Sequence, residues 1–259
     1  METFVISGSL YNLKPVEWDF NVEPLGLLLI WEGPKVGEKY CIGVDTADGV
    51  GEDRSAVQVN RVGSPIRPDE LVCEWVGNVN GLELAPVVHA IAQLYSTDGN
   101  EPVVCIEMNR GDVVQCEMRI RYGWSNFYRY RHYDKVNGGW AVRVGWHTNA
   151  ETRPRLLSCA VQHIKACHWK INSPWTIDEI SNFEYNSEKM TMKASVGSRD
   201  DRVMSAMIAL YCSKELYEAN DYVSTLEGEE ANVERSKRNP QTTDVSAESL
   251  EVDEGMLYY

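Results

Sequence analysis

Acidic residues stand at the ends of apolar segments at three points, and they constrain the fold more than any other feature of this chain. Asp45 follows the apolar run 40–44, and Glu107 follows the apolar run 103–106. A third acidic pair, Asp200-Asp201, precedes a segment with apolar residues at helical spacing. Carboxylates that end strands or begin a helix, although far apart in the sequence, indicate a site whose residues are brought together by folding. Three or four bare carboxylates together are typical of divalent-cation sites for phosphoryl transfer.

Each acidic position also has an ordinary structural interpretation. An Asp after a strand is usually a turn residue, and an Asp before a helix is usually a cap. Glu107 fits this less well, because a buried Glu without a partner costs several kcal/mol. Two acids at one sheet edge raise each other's pKa unless a cation keeps them ionised, and Asp45 would share that edge. Ser198 is an alternative cap for the last helix, and which of Asp200 and Asp201 points inward is left open.

The apolar patterning predicts an order of strands and helices. Strands are expected at residues 40–46, 55–62, 71–76, 103–107 and 169–171. Helices are expected at residues 84–95, 111–122, 149–168, 178–183 and 200–217. A β-hairpin is expected around Asn137-Gly138, and a small polar hairpin at residues 185–193. Antiparallel strands followed by a strand–helix crossover predict an α/β fold, a mixed sheet with helices on both faces.

Composition divides the chain into three regions. Residues 1–38 contain three prolines and several glycines and are expected to be an irregular arm or linker. Residues 39–218 are expected to form the main domain. Residues 219–259 hold ten acids and three bases, a net charge of -7 out of -14 for the chain, and are expected to be a flexible tail. The rest of the chain is therefore only mildly acidic. The net charge of -14 for the whole chain argues against a dedicated nucleic-acid coat protein.

The seven cysteines indicate reduced thiols rather than a disulfide framework. Cys41, Cys73 and Cys105 lie in strand-like segments, as expected for a cytosolic protein outside an oxidising compartment. A zinc site at Cys159, His163 and Cys167 is disfavoured, because a helix would separate the two thiols by about 12 Å. Buried thiols are expected there instead. No apolar run is long enough to span a bilayer, so no membrane association is expected.

Basic and aromatic side chains alternate around the predicted hairpin at Asn137-Gly138. One interpretation is a charged, solvated hairpin face. The other is a hairpin that faces DNA and holds phosphates without reading sequence. The candidate DNA-binding residues are Arg129, Arg131, Lys135 and Arg143, together with Arg153 and Arg155 at the start of the next helix.

Four segments, in order, resemble motifs of the nuclease domain of phage terminase large subunits. Gly-Val-Asp-Thr-Ala at residues 43–47, with Gly49, Gly51 and Asp53, is similar to the first motif. Residues 106–111 are similar to the second motif. Gly-Trp-His-Thr-Asn at residues 145–149, followed by Arg-Pro, resembles a Gly-Trp-x-Thr-Asn segment of the family. Residues 200–206 resemble its Asp-Asp motif, although Arg199 stands where relatives often have His.

The resemblance implies a ribonuclease H-like fold, a mixed five-stranded sheet flanked by helices, here with an added β-hairpin. It implies an endonuclease that cuts concatemeric double-stranded viral DNA during genome packaging, using two Mg²⁺ or Mn²⁺ ions. Asp45, Glu107, Asp200 and Asp201 would be the catalytic and metal-ligating residues, with Asp45 bridging both ions. The implied partners are the portal protein, the small terminase subunit and the ATPase domain of the large terminase. The implied location is the procapsid in the host cytoplasm.

The chain has no Gly-x4-Gly-Lys-[Ser/Thr] sequence, so no P-loop motor is expected within it. Residues 2–8 resemble the segment that leaves the ATPase domain in relatives. We therefore expect a nuclease fragment or a separately encoded nuclease subunit. Two other functions stay open: another ribonuclease H-like nuclease acting on junctions or RNA–DNA hybrids, and a non-catalytic docking module of the packaging machinery.

Overall fold

The computed structural model of the chain describes residues 2–7, 19–22, 26–49, 53–134, 138–186, 191–194 and 199–217. Lys135, Asn137 and Ser198 lie outside these ranges, as does the whole predicted tail at residues 219–259. The predictions made for those positions are therefore neither confirmed nor contradicted.

A mixed sheet of eight strands forms the centre of the fold. Its strands, in chain order, are β1 (Glu2–Ser7), β2 (Asp19–Val22), β3 (Leu28–Ile30), β4 (Tyr40–Asp45), β5 (Ser55–Arg61), β6 (Asp69–Gly77), β7 (Val103–Ile106) and β10 (Trp169–Ile171). The spatial order is β2-β1-β3-β6-β5-β4-β7, and β10 also pairs with β6. The pairings β4–β7 and β6–β10 are parallel and the others are antiparallel.

The parallel pairing of β4 with β7 brings two acidic positions to the same sheet edge. Val44 is the register partner of Ile106, and the Glu107 amide donates to the Val44 carbonyl at 2.8 Å. Both strands are buried along most of their length, which explains their continuous apolar sequences. The strands therefore end together, with Asp45 and Glu107 as neighbours at their carboxyl ends.

Helices cover both faces of the sheet, as the patterning predicts. They are α1 (Gly81–Leu94), α2 (Asp112–Arg121), α3 (Arg153–Lys165), α4 (Pro174–Ser181) and α5, which spans residues 201–217. One apolar cluster joins the sheet to α1 and α2, and contains Leu84, Ile91 and Met118. A second joins the opposite face to α3 and α5, and contains Leu156, Met207 and Ile208.

Gly43 in the middle of β4 permits α5 to lie directly on the sheet. A Cβ atom at this position would overlap the Ser205 carbonyl oxygen and would lie 2.6 Å from the Ala209 amide nitrogen. These contacts are backbone atoms of the helix, which a rotamer change cannot move away. The glycine therefore fixes how closely α5 approaches the strand that ends in Asp45.

The predicted hairpin is formed by β8 (Arg129–Asp134) and β9 (Gly139–Val144), paired antiparallel from Arg129↔Val144 to Asp134↔Gly139. Its base joins the free side of β7. The Trp146 amide donates to the Ile106 carbonyl, and the Met108 amide donates to the Trp146 carbonyl, each at 2.7 Å. Trp146, two residues after the end of β9, is thus the bridge partner of Glu107. A second small hairpin pairs β11 (Phe183–Asn186) with β12 (Thr191–Ala194), as predicted.

Several sequence-based expectations are wrong in detail. The irregular structure expected across residues 1–38 is contradicted, because β1, β2 and β3 extend the sheet beyond β6. Glycines and prolines in the connections obscured these short strands. The helix expected at 178–183 begins earlier, at Pro174, because the Ser173 hydroxyl accepts from the Thr176 amide as a helix cap. None of the helices in the described ranges is long and apolar enough to cross a membrane.

Candidate active site

Asp45 and Glu107 form the floor of a polar cleft at the carboxyl ends of β4 and β7. Both residues are half-buried, and they are neighbours at the ends of the paired strands β4 and β7. Burial, followed by the charge of the Glu107 carboxyl, raises the pKa of Asp45. Two neighbouring carboxylates repel each other when both are ionised, so a proton or a cation between them stabilises the pair. The proximity of Asp45 and Glu107 is therefore the strongest indication of a cation site.

The electrostatic environment disfavours a charged Asp45. Burial raises the pKa of this carboxyl well above its usual range, and the neighbouring Glu107, Asp201 and Asp200 charges raise it further. A positive charge in the cleft would reverse both effects, since it stabilises the ionised form. The position thus favours a bound cation.

Asp200 and Asp201 at the start of α5 complete the acidic cluster from the other side of the cleft. The Asp200 carbonyl accepts from the Met204 amide at 2.8 Å, which makes Asp200 the residue before the first helical turn. Burial is the main cause that raises the pKa of Asp201 to about 6, followed by the charge of Glu179, and Arg54 opposes the rise. Asp200 and Asp201 are both among the residues that line the cleft.

Three arginines face the same cleft. Arg153 contacts Asp200 at 2.7 Å, and Arg54 contacts Asp201 at 3.5 Å. Arg110 lies 3.3 Å from Asp48 and 3.6 Å from Asp53 at the rim. The cleft has a volume of about 360 Å³ and combines four central carboxylates with cations at its margin. This arrangement is complementary to a phosphodiester. Arginine side chains bind its negatively charged oxygens, and carboxylate-bound metal ions stabilise the oxygens that react.

Asn109 connects the second motif-like segment to the third. Its side-chain amide donates to the Thr148 carbonyl at 3.0 Å and lies 3.5 Å from a Glu107 carboxylate oxygen. The Asn149 side chain accepts from the Glu151 and Thr152 amides just before α3. The Gly-Trp-His-Thr-Asn segment therefore supports Glu107 and leads into the helix that carries Arg153.

The four carboxylates fit divalent cations by their chemistry. Oxygen-rich, acidic sites with several carboxylates are those that Mg²⁺ and Mn²⁺ prefer. Within the described residues, no three acidic, histidine or cysteine side chains already have the spacing of a metal-ligand group. Arg54 contacts one carboxylate oxygen of Asp201, and Arg153 contacts one carboxylate oxygen of Asp200.

The candidate DNA-binding residues occupy three different places. Arg129 and Arg131 alternate along β8 and share one exposed face of the hairpin. Arg143 pairs across from Tyr130 and therefore lies on the opposite face. Arg153 is in the cleft itself, whereas Arg155 is exposed on α3. The structure thus does not bring these residues into one basic surface, and Lys135 is outside the described residues.

The expectation of buried thiols on α3 is wrong for Cys167, which is exposed, and Cys159 is only partly buried. Cys167 has a positive φ of 54° just after the helix, so it ends α3 instead of continuing it. The expectation holds for Cys41, Cys73 and Cys105, which are free and buried.

Sequence reasoning missed Arg54, which contacts Asp201, and Glu179, which accepts from the amides that follow Asp201 at the start of α5. Arg54 directly follows the first motif-like segment, so a basic residue beside an acidic motif was the available signal. Glu179 lies on the short helix α4 with its side chain buried. Nothing in its local sequence distinguishes it from a surface glutamate.

The arrangement of strands and helices defines a ribonuclease H-like α/β fold. No protein-family model matches the chain, and no curated protein is similar to it by sequence. Solved structures do match. The large terminase nuclease of thermophilic phage G20c, solved with bound magnesium, has a TM-score of 0.52 and 19% sequence identity, covering 73% of this chain and 88% of that chain.

The same phage G20c nuclease solved with bound cobalt has a TM-score of 0.52 at 16% identity, with the same shares covered. The large terminase nuclease domain of Thermus phage P74-26 also has a TM-score of 0.52, with 17% identity, covering 76% of this chain and 88% of that chain. The chain therefore has the fold of the phage large terminase nuclease domains.

Proposed function

We propose that this chain is a metal-dependent endonuclease that cuts concatemeric double-stranded viral DNA during genome packaging. The observation that carries the proposal is the convergence of Asp45, Glu107, Asp200 and Asp201 on one cleft, with Asp45 and Glu107 at the ends of paired strands. The fold shared with the G20c and P74-26 terminase nucleases supports the same function. The G20c nuclease has been solved with bound magnesium and with bound cobalt.

In this proposal the four carboxylates hold two Mg²⁺ or Mn²⁺ ions. When bound, the ions supply activation of the attacking water and stabilisation of the leaving 3′ oxygen. Asp45 is the central ligand, because it lies on the strand between Glu107 and the start of α5 and is influenced by all three other acids. Glu107 and the Asp200-Asp201 pair hold the ions from the two sides of the cleft.

The arginines of the cleft serve the substrate. Arg54 and Arg153 neutralise Asp201 and Asp200 in the metal-free geometry and become available for phosphate oxygens when cations take those carboxylates. Arg129 and Arg131 on the exposed hairpin face contact the DNA backbone farther along the duplex. Such contacts position DNA without reading its sequence. Binding is consequently weak, salt-sensitive and tolerant of sequence.

The packaging context extends the proposal to partners. The ATPase domain of a large terminase would tether this nuclease to the DNA, which raises its effective concentration and compensates for weak intrinsic affinity. The portal protein and the small terminase subunit are the other proposed partners, at the procapsid in the host cytoplasm.

Plasmid cleavage with Mn²⁺ or Mg²⁺ tests the proposal. We expect the wild-type chain to nick and linearise supercoiled plasmid, and Asp45→Asn and Glu107→Gln to abolish cleavage. Asp98→Asn, in an exposed turn that does not line the cleft, is the matched control and should cleave like wild type. Cleavage that survives either site substitution would contradict the assignment. Stronger cleavage of four-way junctions or RNA–DNA hybrids would favour another ribonuclease H-like nuclease.

A further inference from the structure

Glu179 on α4 binds the start of α5, although it does not line the cleft. One carboxylate oxygen accepts from the Arg202 amide at 2.9 Å and from the Val203 amide at 3.3 Å. The first N–H groups of a helix have no acceptor within the helix. Glu179 thus caps α5 from a different helix.

This cap leaves the acidic pair free for the cleft. An Asp at the position before a helix normally uses its own carboxylate to accept from the second or third helical amide. Those amides belong here to Arg202 and Val203, and Glu179 occupies both. The Asp200 side chain is directed to Arg153 in the cleft instead, at 2.7 Å.

The second carboxylate oxygen of Glu179 joins two arginines. It lies 3.0 Å from the Arg202 guanidinium and 3.3 Å from the Arg54 guanidinium. Arg54 in turn contacts the Asp201 carboxylate at 3.5 Å. Glu179 therefore restrains the backbone directly after Asp201, and it also restrains Arg54, the guanidinium beside the Asp201 side chain.

The network is anchored in the sheet by Glu74 of β6, which is 1% exposed. The Arg202 guanidinium lies 3.1 Å from one Glu74 oxygen. The other Glu74 oxygen accepts from Gln58 and from Thr176, each at 2.7 Å. Because these partners come from two strands and from α4, the start of α5 has a fixed position relative to the sheet.

We propose that Glu179 is a positioning residue, which sets the place of Asp200 and Asp201 opposite Asp45 and so determines how tightly the cleft binds divalent cations. The proposal rests on the proposed metal-dependent function. It assigns to α4 a role in the site that none of the four motif-like segments contains. Buried partners that orient metal ligands typically change metal affinity by about 10–100-fold when removed.

The test compares Glu179→Ala and Glu179→Gln with Glu83→Ala, in the full chain. Glu83 is the matched control because its carboxylate caps the start of α1, where it accepts from the Asn80 amide at 3.2 Å. Mn²⁺ affinity is measured by calorimetry, and backbone protection by amide hydrogen exchange. Both readouts are independent of DNA cleavage.

We expect Glu179→Ala to weaken Mn²⁺ binding by about tenfold or more and to accelerate exchange at Arg202 and Val203. Glu179→Gln keeps a carbonyl oxygen for the two amides but loses the charge facing the arginines, so its effects should be smaller. Glu83→Ala should accelerate exchange only at the start of α1 and leave Mn²⁺ affinity within about twofold of wild type.

Wild-type Mn²⁺ affinity in Glu179→Ala, or unchanged protection of Arg202 and Val203, would overturn the role of Glu179. If Glu179→Ala does not fold, the same Mn²⁺ criterion applies to Glu179→Gln. A wild-type chain that binds no Mn²⁺ would instead count against the proposed function and, with it, the cation-tuning role. Hydrogen exchange would still decide whether Glu179 holds the start of α5.

Discussion

Asp45 and Glu107 lie side by side at the ends of two parallel strands, and each strand is buried along most of its length. The pairing of β4 with β7 sets this proximity, because the Glu107 amide donates to the carbonyl of Val44, the residue before Asp45. Repulsion between two neighbouring acids destabilises the metal-free protein, and a cation that binds between them stabilises the folded state.

The first prediction concerns stability. Asp45→Asn should raise the free energy of unfolding in metal-free buffer by about 1–3 kcal/mol at neutral pH. The raised pKa means that wild type must either bind a proton that the unfolded chain does not hold or keep Asp45 charged beside Glu107, whereas the amide is neutral. Mn²⁺ at saturating concentration should stabilise wild type, by about 2.7 kcal/mol at one hundred times its dissociation constant, but not Asp45→Asn. Thermal unfolding with Mn²⁺ and with a chelator measures both effects.

Asp98→Asn should leave both the metal-free stability and the Mn²⁺-induced gain as in wild type. A metal-free Asp45→Asn protein that is clearly less stable than wild type would mean that the Asp45 carboxyl contributes favourable structural bonds. A full Mn²⁺-induced gain in that variant would show that the ion binds elsewhere.

The second prediction concerns pH. The folded-state pKa of Asp201 is raised to about 6, mainly by burial and then by Glu179, above the usual value of 3.8. The stabilising effect of its proton is therefore fully present below the unfolded pKa and is lost as pH rises through about 6. Asp201→Asn should match wild type at acidic pH and exceed it by about 1–3 kcal/mol above that range.

Urea unfolding of metal-free wild type and Asp201→Asn at several pH values between about 4 and 7.5 checks this difference. Mn²⁺ affinity of wild type should fall as pH drops below about 6, because protons compete for the same carboxylate. A constant stability difference across the whole pH range would contradict the raised pKa.

The sheet and its acidic edge could be predicted from sequence because their signals are local. The runs ending in Asp45 and Glu107 are buried strands, and continuous apolar residues reveal such strands without any knowledge of their partners. The helices α1 and α2 follow similarly from apolar spacing close to 3.6 residues. The motif-like segments then predicted that the ends of these two strands lie near the start of the helix that follows Asp200.

Features that depend on distant pairing could not be predicted in the same way. β3 is three residues long and lies next to β6, which comes far later in the chain, so no local periodicity marks it. The Glu179 side chain that accepts from the start of α5 lies on a separate helix, and no local capping pattern points to it. The basic hairpin residues lie on two faces because Arg143 is paired with Tyr130, whose side chain is on the face opposite to Arg129 and Arg131. This register is not evident from the local sequence.

The third prediction concerns the contact between β4 and α5. Gly43→Ala should cost about 3 kcal/mol or more, because the added methyl group meets the backbone of α5 at Ser205 and Ala209 rather than a movable side chain. Moving α5 outward also moves Asp200 and Asp201 away from Asp45, so Mn²⁺ affinity should fall along with stability. Chemical unfolding and calorimetry give the two values.

Gly33→Ala is the control for this substitution, since no atom lies within 4 Å of a Cβ at Gly33 and its φ is not positive. It should change the free energy of unfolding by less than about 1 kcal/mol. Gly43→Ala with wild-type stability would mean that α5 can shift freely on the sheet, which contradicts the close backbone contact.

The fourth prediction concerns the hairpin. Arg129 and Arg131 share one exposed face, so their replacement by alanine should remove two phosphate contacts and reduce the slope of log affinity against log salt by about 1.8. Affinity for DNA of different sequences should fall equally, because backbone contacts carry no sequence information. Fluorescence anisotropy at several salt concentrations measures the slope, with Asp45→Asn as the background to prevent cleavage.

Lys165→Ala is the control, since Lys165 is an exposed cation in the last turn of α3 and not part of the hairpin. It removes one positive charge and should leave the salt slope unchanged. Arg143→Ala tests the opposite face of the hairpin, since Arg143 is paired with Tyr130. A reduction in slope for Arg143→Ala but not for the Arg129 and Arg131 variant would assign DNA to the other face.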